Sequence, residues 1–170
     1  PGSYVENVIV KDIIFNYKGT GTIKEANLPV PEEISSYPEN RMFGYSLPAY
    51  GLYVRHVKDL SVENFRFNLN APDARPAIIL DDCHNIRLNK FDVDTPKNNQ
   101  SLVKCIQSTN VTISGYQSIK PVANFLMVEG EQSKDIKLMG NDFTGVNNIV
   151  GFDKGSDESA VRMLNNFSNN

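Results

Sequence analysis

The 170-residue chain carries a formal net charge of −3 with both signs interspersed, so no basic stripe marks it as a nucleic-acid binder. Its 40% hydrophobic content suffices for the core of one domain, and no run approaches the roughly 18 apolar residues of a membrane helix. No signal peptide is visible after Pro1-Gly2-Ser3.

The first element is Glu6-Asn7-Val8-Ile9-Val10, in which apolar residues alternate after an Asn. The same pattern returns as Lys58-Asp59-Leu60-Ser61-Val62, His84-Asn85-Ile86-Arg87-Leu88, Thr109-Asn110-Val111-Thr112-Ile113 and Lys134-Asp135-Ile136-Lys137-Leu138. A weaker copy follows at Ser159-Ala160-Val161-Arg162-Met163. The Asn/Asp anchors stand at 7, 59, 85, 110 and 135, separated by 52, 26, 25 and 25 residues. The first gap is two periods, or one period with an insertion. A fixed period of this size marks a stacked repeat. Val, Ile, Phe and Thr at a two-residue period make the stacked units strands rather than helices.

Each period predicts three short strands. Beyond the anchor, apolar residues fall at positions +1 and +3 (Val8 and Val10, Leu60 and Val62, Ile86 and Leu88). They then fall at +6 and +8 (Ile13 and Phe15, Phe65 and Phe67, Phe91 and Val93). The parity switches at +5, occupied by Asp12, Asn64, Lys90, Gly115 and Gly140, so the chain must bend there. A third strand precedes the anchors: Leu52-Tyr53-Val54, Ile78-Ile79-Leu80, Leu102-Val103-Lys104, Leu126-Met127-Val128 and Ile149-Val150-Gly151. The expectation is an all-β, right-handed parallel β-helix of about six coils of ~25 residues, a single domain over residues 1–170. Asn and Asp suit the anchor because they tolerate the left-handed backbone of a sharp corner and can hydrogen-bond from coil to coil.

Two stretches break the repeat. Residues 16–50 hold Gly19, Gly21, Pro29, Pro31, Pro38 and Pro48 and read as a long excursion with one helical turn, either functional or a cap. Asn165-Asn166-Phe167-Ser168-Asn169-Asn170 dissolves into polar residues. The first anchor lacks its preceding strand, so the chain reads as the C-terminal part of a longer β-helix. The open coil end carries a free edge through which a homo-dimer can form.

Tyr37-Pro38-Glu39, Met42-Phe43-Gly44, the run from Leu47-Pro48-Ala49-Tyr50-Gly51 to Arg55-His56-Val57, and Arg75-Pro76-Ala77-Ile78 resemble the C-terminal part of glycoside hydrolase family 28, the polygalacturonase-like pectinases. The resemblance covers residues 5–115 and is strongest at 37–57. It implies a pectin-lyase-like β-helix, hydrolysis of galacturonan-type polymers with inversion, no cofactor and an extracytoplasmic location (periplasmic, cell-surface or secreted). Inversion needs a proton-donating carboxylic acid and a second carboxylate that activates water. The family's Asn-Thr-Asp, Gly-Asp-Asp, Gly-His-Gly and Arg-Ile-Lys elements are not in this sequence. The nearest approach is Asp81-Asp82-Cys83, which follows Leu80 rather than Gly. The expectation is therefore a glycoside hydrolase family 28-like chain that acts on or binds acidic plant polysaccharide, lacks the family's catalytic Asp motifs and is inactive by itself. A noncatalytic carbohydrate-binding or structural β-helix is the alternative.

Aligned by period, Asp81 lies beside Arg55 and Lys104 lies near Glu129 on the adjacent coil. A cross-strand ion pair is the simpler account of Asp81, with Asp81 and Asp82 the only catalytic candidates. His56 and His84 fall at different coil positions, which suggests neither a metal pair nor a triad; His84 reads as a turn residue. Cys105 shares the inward slot of Val54 and Leu80, and Cys83 is out of register with it. Gly19-Thr20-Gly21-Thr22 is too isolated for a phosphate loop, and Asp153-Lys154-Gly155-Ser156-Asp157-Glu158 reads as a solvated turn before a calcium loop. The ligand candidates are Arg41, Tyr50, Tyr53, Arg55 and Arg75, within a cluster that also holds Tyr37, Phe43, Tyr45 and Lys58. Aromatic faces stack on sugar rings, and guanidinium forks pair with uronate carboxylates. For Phe43 and Tyr50 the alternative is packing of the excursion against the barrel.

Overall fold

The computed structural model describes residues 3–33, 35, 44–117 and 120–169. Its strands are β1 (Val5–Tyr17), β2 (Leu52–Leu69), β3 (Ile78–Val93), β4 (Ser101–Ile106), β5 (Thr109–Ser114), β6 (Val122–Glu129), β7 (Ile136–Met139), β8 (Val146–Asp153) and β9 (Val161–Leu164). Every strand pairing is parallel. On the anchor face Val10, Val62, Leu88, Ile113, Leu138 and Met163 stand in one column. On the adjoining face the columns are Leu52, Ile78, Val103, Leu126 and Val150, and Val54, Leu80, Cys105, Val128 and Phe152. The result is a β-solenoid of about 4 turns. The expectation of about six coils counted one coil for each anchor copy; the first of these is a partial coil, in which β1 pairs only with β2.

The corners follow from backbone chemistry. Asn7, Asp59, Asn85, Asn110 and Asp135 all have positive φ, from 53° to 59°. The +5 residues Asp12, Asn64, Lys90, Gly115 and Gly140 are likewise left-handed. Between the anchor residues, Asn85 Nδ2 donates to Asp59 and Asn110 Nδ2 donates to Asn85 Oδ1 at 3.2 Å. A third corner, which the sequence pattern does not announce, follows the 52–55 column at His56, Asp82, Gln107, Gly130 and Lys154, all at positive φ. It bears no shared residue type, so periodicity alone hides it.

The core is the inside of the coil. Leu80, Ile86, Leu88, Leu102, Val103, Ile113 and Leu138 have no solvent exposure. Phe65 stacks on Phe91 at 5.1 Å, and the row of rings continues through Tyr116, Phe125 and Phe143. At the first coil β1 pairs only with β2, and its inward side chains line an apolar hollow of about 340 Å³ with Leu52, Val54 and Phe67.

The excursion is held to the barrel at a few polar points. Its helical turn is α1 (Ile23–Ala26), closed by a capping box between Thr22 and Glu25. Asp73 is fully buried and accepts from Gly21 N at 2.8 Å, Arg75 N at 2.9 Å, Arg75 Nε at 3.0 Å and Arg75 Nη2 at 2.7 Å. Arg75 Nη1 continues to Ser46 Oγ and the Leu47 carbonyl. Gly19 has φ +77° and would place a Cβ 1.9 Å from the Ala71 carbonyl oxygen, so only glycine lets the chain pass there. The Gly19-Thr20-Gly21-Thr22 stretch is thus a clamp to the barrel.

Candidate functional site

In a strand whose inward residues are Leu52 and Val54, Tyr53 and Arg55 must point outward. Both do, and they open the floor of a groove that runs across the coils. Tyr53, Arg55, Ile79, Asp81, Lys104, Ile106, Glu129 and Lys154 make the floor, and residues 26–30 with Pro48 form a wall on one side. The volume of this open groove is about 320 Å³. The excursion therefore folds over the groove, as the sequence led one to expect.

The charged heads in the groove are fixed by one another. Arg55 Nη2 lies 2.6 Å from Asp81 Oδ2, and Arg55 Nε donates to the same oxygen at 2.7 Å. Tyr53 Oη also donates to Asp81 at 2.8 Å, and the Arg55 guanidinium sits 5.7 Å from the Tyr53 ring centre. Burial and the Asp81 carboxylate push the Tyr53 phenol above its ordinary pKa. Lys104 reaches Glu129 at 2.8 Å and Lys154 reaches it at 2.5 Å. Burial opposes the Glu129 charge, yet the two ammonium groups hold its pKa below the ordinary carboxylate value. Both expected cross-coil pairs, Arg55 with Asp81 and Lys104 with Glu129, are present.

Next to the groove, the third corner gathers a second polar cluster. His56 Nδ1 lies 2.6 Å from Asp82 Oδ2, and His56 Nε2 lies 3.2 Å from both carboxylate oxygens of Glu32 in the excursion. Tyr4 Oη donates to Asp82 and approaches His84 Nε2 at 3.0 Å. His84 Nδ1 faces Thr109 Oγ1 at 2.8 Å, and His84 is not itself a left-handed turn residue. His56 and His84 do occupy different coil positions, but Asp82 lies between them and faces both. Sequence reasoning missed Tyr4 and Glu32, which come from segments outside the repeat. The available signal was the pair of histidines flanking one Asp in adjacent coils.

The arrangement does not tune Asp82 as a proton-donating acid. A glycosidase general acid needs its pKa raised so that it carries a proton. Burial favours the neutral form of Asp82, but hydrogen bonds from His56 and Tyr4 outweigh it and hold the group below its ordinary value. Asp81 is engaged by Arg55 and Tyr53 instead. The two neighbours thus have separate partners and separate structural duties.

Of the ligand candidates, Tyr53 and Arg55 are in the groove. Tyr50 is a correction: it is 4% exposed, and its hydroxyl donates to the Asp94 carbonyl at 2.6 Å. Its ring packs the excursion against the barrel beside Tyr17, so it offers no face to a sugar. Arg75 is also reassigned, because Asp73, Ser46 and Leu47 take up its guanidinium. Arg41, Tyr37 and Phe43 lie outside the described residues. Cys83 and Cys105 are free and buried; burial pushes the Cys83 thiol up to about 12. In the 153–158 turn, Ser156 Oγ donates to the Val128 carbonyl and Lys154 fills a left-handed corner. Among the described residues no group of three or more His, Cys, Asp or Glu has metal-binding geometry.

Comparison of the chain with protein-family models, with curated proteins and with solved structures returns no match.

Proposed function

We propose that this chain is a noncatalytic β-solenoid module, of the kind found in the polygalacturonase-like pectinases, that binds uronate-containing polysaccharide outside the cytoplasm. The observation that supports this reading is the groove of about 320 Å³, where Arg55, Lys104 and Lys154 stand beside the Tyr53 ring and an apolar wall. Ion pairs with Asp81 and Glu129 hold those cations in place before a ligand arrives, which lowers the ordering cost of binding. Successive coils repeat about every 4.8 Å, so a linear polymer meets a repeating floor. Asp82, held below its ordinary pKa by His56 and Tyr4, is not poised to donate a proton, which accords with the noncatalytic form of the reading.

Calorimetric titration of oligogalacturonides into wild type and Arg55→Ala tests it. The expected result is binding that weakens with salt and is weaker still in the variant, since exposed charge interactions are screened over about 8 Å at physiological ionic strength. Equal affinities, or no binding at millimolar ligand, would leave the Arg55–Asp81 pair a purely structural contact. The same protein should release no reducing ends from polygalacturonate. Turnover that disappears in Asp81→Asn or Asp82→Asn would restore catalysis.

A further inference from the structure

Two nitrogens from adjacent residues, a guanidinium and an imidazole, converge on one carboxylate at the edge of the groove. Arg55 Nη1 lies 3.2 Å from Glu32 Oε1, and His56 Nε2 lies 3.2 Å from the same oxygen and from Glu32 Oε2. Each donor is held from behind by its own acid: Asp81 takes Arg55 Nε and Nη2, and Asp82 takes His56 Nδ1. Glu32 itself is tethered loosely, with its side chain 61% exposed on the excursion. We propose that Arg55 and His56 form a carboxylate-binding fork that Glu32 occupies in the free protein, and that a sugar-acid carboxylate of the ligand displaces Glu32 from it. This rests on the groove reading and names the chemical group recognised there and the residue that competes for it.

The chemistry requires the imidazolium. Only protonated His56 donates from both nitrogens, to Asp82 and to the incoming carboxylate; neutral His56 can keep its Nδ1–H on Asp82 and then turns a lone pair toward the ligand. The groups around His56 are Asp82 and His84 from β3, Arg55 and Lys58 from β2, Tyr4 ahead of β1, and Glu32 from the excursion. Burial opposes the His56 charge, but hydrogen bonds to Asp82 and Glu32 more than offset it and raise its pKa. The Arg55 Nη1 bond to the Val30 carbonyl at 2.6 Å keeps the wall of the groove in place when Glu32 leaves.

Glu32→Gln removes the competing charge and leaves the fork intact. An exposed ion pair that fills the fork about four-fifths of the time reduces apparent affinity about fivefold. Calorimetry with trigalacturonate at about pH 5.5 should therefore show E32Q binding about fivefold tighter than wild type, with a neutral galactose trimer unaffected. The gain should shrink as pH rises through the His56 pKa and the imidazole loses its proton, and it should be smaller when Glu32→Gln is made in a His56→Gln background. In parallel, acetate should shift the His56 ring-proton resonance in E32Q at lower concentration than in wild type. If E32Q and wild type bind trigalacturonate equally, the fork is wrong while the groove reading stands. If neither binds the trimer yet acetate shifts His56 in E32Q, the fork stands and the groove reading falls. The absence of both trimer binding and an acetate shift overturns both.

Discussion

Asp73→Ala should be among the most damaging single polar substitutions in this chain. The carboxylate has no exposure and accepts four hydrogen bonds, three of them from Arg75 and one from Gly21 N. Truncation leaves the Arg75 guanidinium, whose side chain is 16% exposed, and the backbone amides of Gly21 and Arg75 without their acceptor. Breaking a buried pair by removing one partner costs about 3–5 kcal/mol. Arg75 retains Ser46 and the Leu47 carbonyl and some access to water, which places the expected loss near the lower end, about 3 kcal/mol. For a chain of this size that corresponds to a fall of about 6–12 °C in Tm. Thermal unfolding followed by far-UV circular dichroism measures it, and limited proteolysis should find the excursion cut earlier than the coils. A loss under about 1 kcal/mol, within the range of exposed pairs, would refute the reasoning. So would equal destabilisation in Asp73→Ala with and without Arg75→Met, since the two effects must be coupled.

Asn85→Ala should cost about 1–2 kcal/mol, because the residue stands at φ 57° and bridges Asp59 and Asn110; Asn85→Gly keeps the corner and loses only the ladder bonds, so urea unfolding should find it less damaging. Acid should destabilise the fold through Glu129 and Asp73. Their folded pKa values are lowered, so their contribution is full above the unfolded values of 4.5 and 3.8 and is lost as pH falls through the folded ones. Glu129→Gln should flatten that acid limb in a Tm-against-pH series; an unchanged limb would remove Glu129 from the account. His56 acts in the opposite sense: its raised pKa gives a contribution present below 6.5 and lost as pH rises through the folded value, and His56→Gln should abolish that alkaline decline. Cys83 and Cys105 should resist a thiol-specific reagent until the protein is denatured, because burial raises both thiols; rapid reaction in native buffer would contradict the packing.

The resemblance to the pectinases rests on residues 37–57 and 75–78, of which 37–43 lie outside the described residues, so the groove rather than the motif carries the functional proposal. Among the groove residues, Tyr53 and Arg55 were legible because they alternate with inward Leu52 and Val54, and alternation fixes a side. Tyr50 and Arg75 were misplaced because they precede their strands. There the backbone has no two-residue period, and a phenol or guanidinium can turn inward once a carbonyl or a buried acid meets it.

The sequence by itself determined the solenoid: the 25-residue interval, the apolar columns, two of the three corners and the two cross-coil ion pairs all follow from periodicity. Periodicity works because each coil repeats the same burial problem against its neighbour, and only one register solves it for every strand. The third corner and the Tyr4–Glu32–His56–Asp82–His84 cluster were decided by tertiary structure alone. They join residues from β2, β3, the excursion and the chain ahead of β1, and no repeat relates those segments. Charge pairing across them depends on where the excursion lands on the barrel, which Asp73, Arg75 and the crowded passage of Gly19 past Ala71 settle.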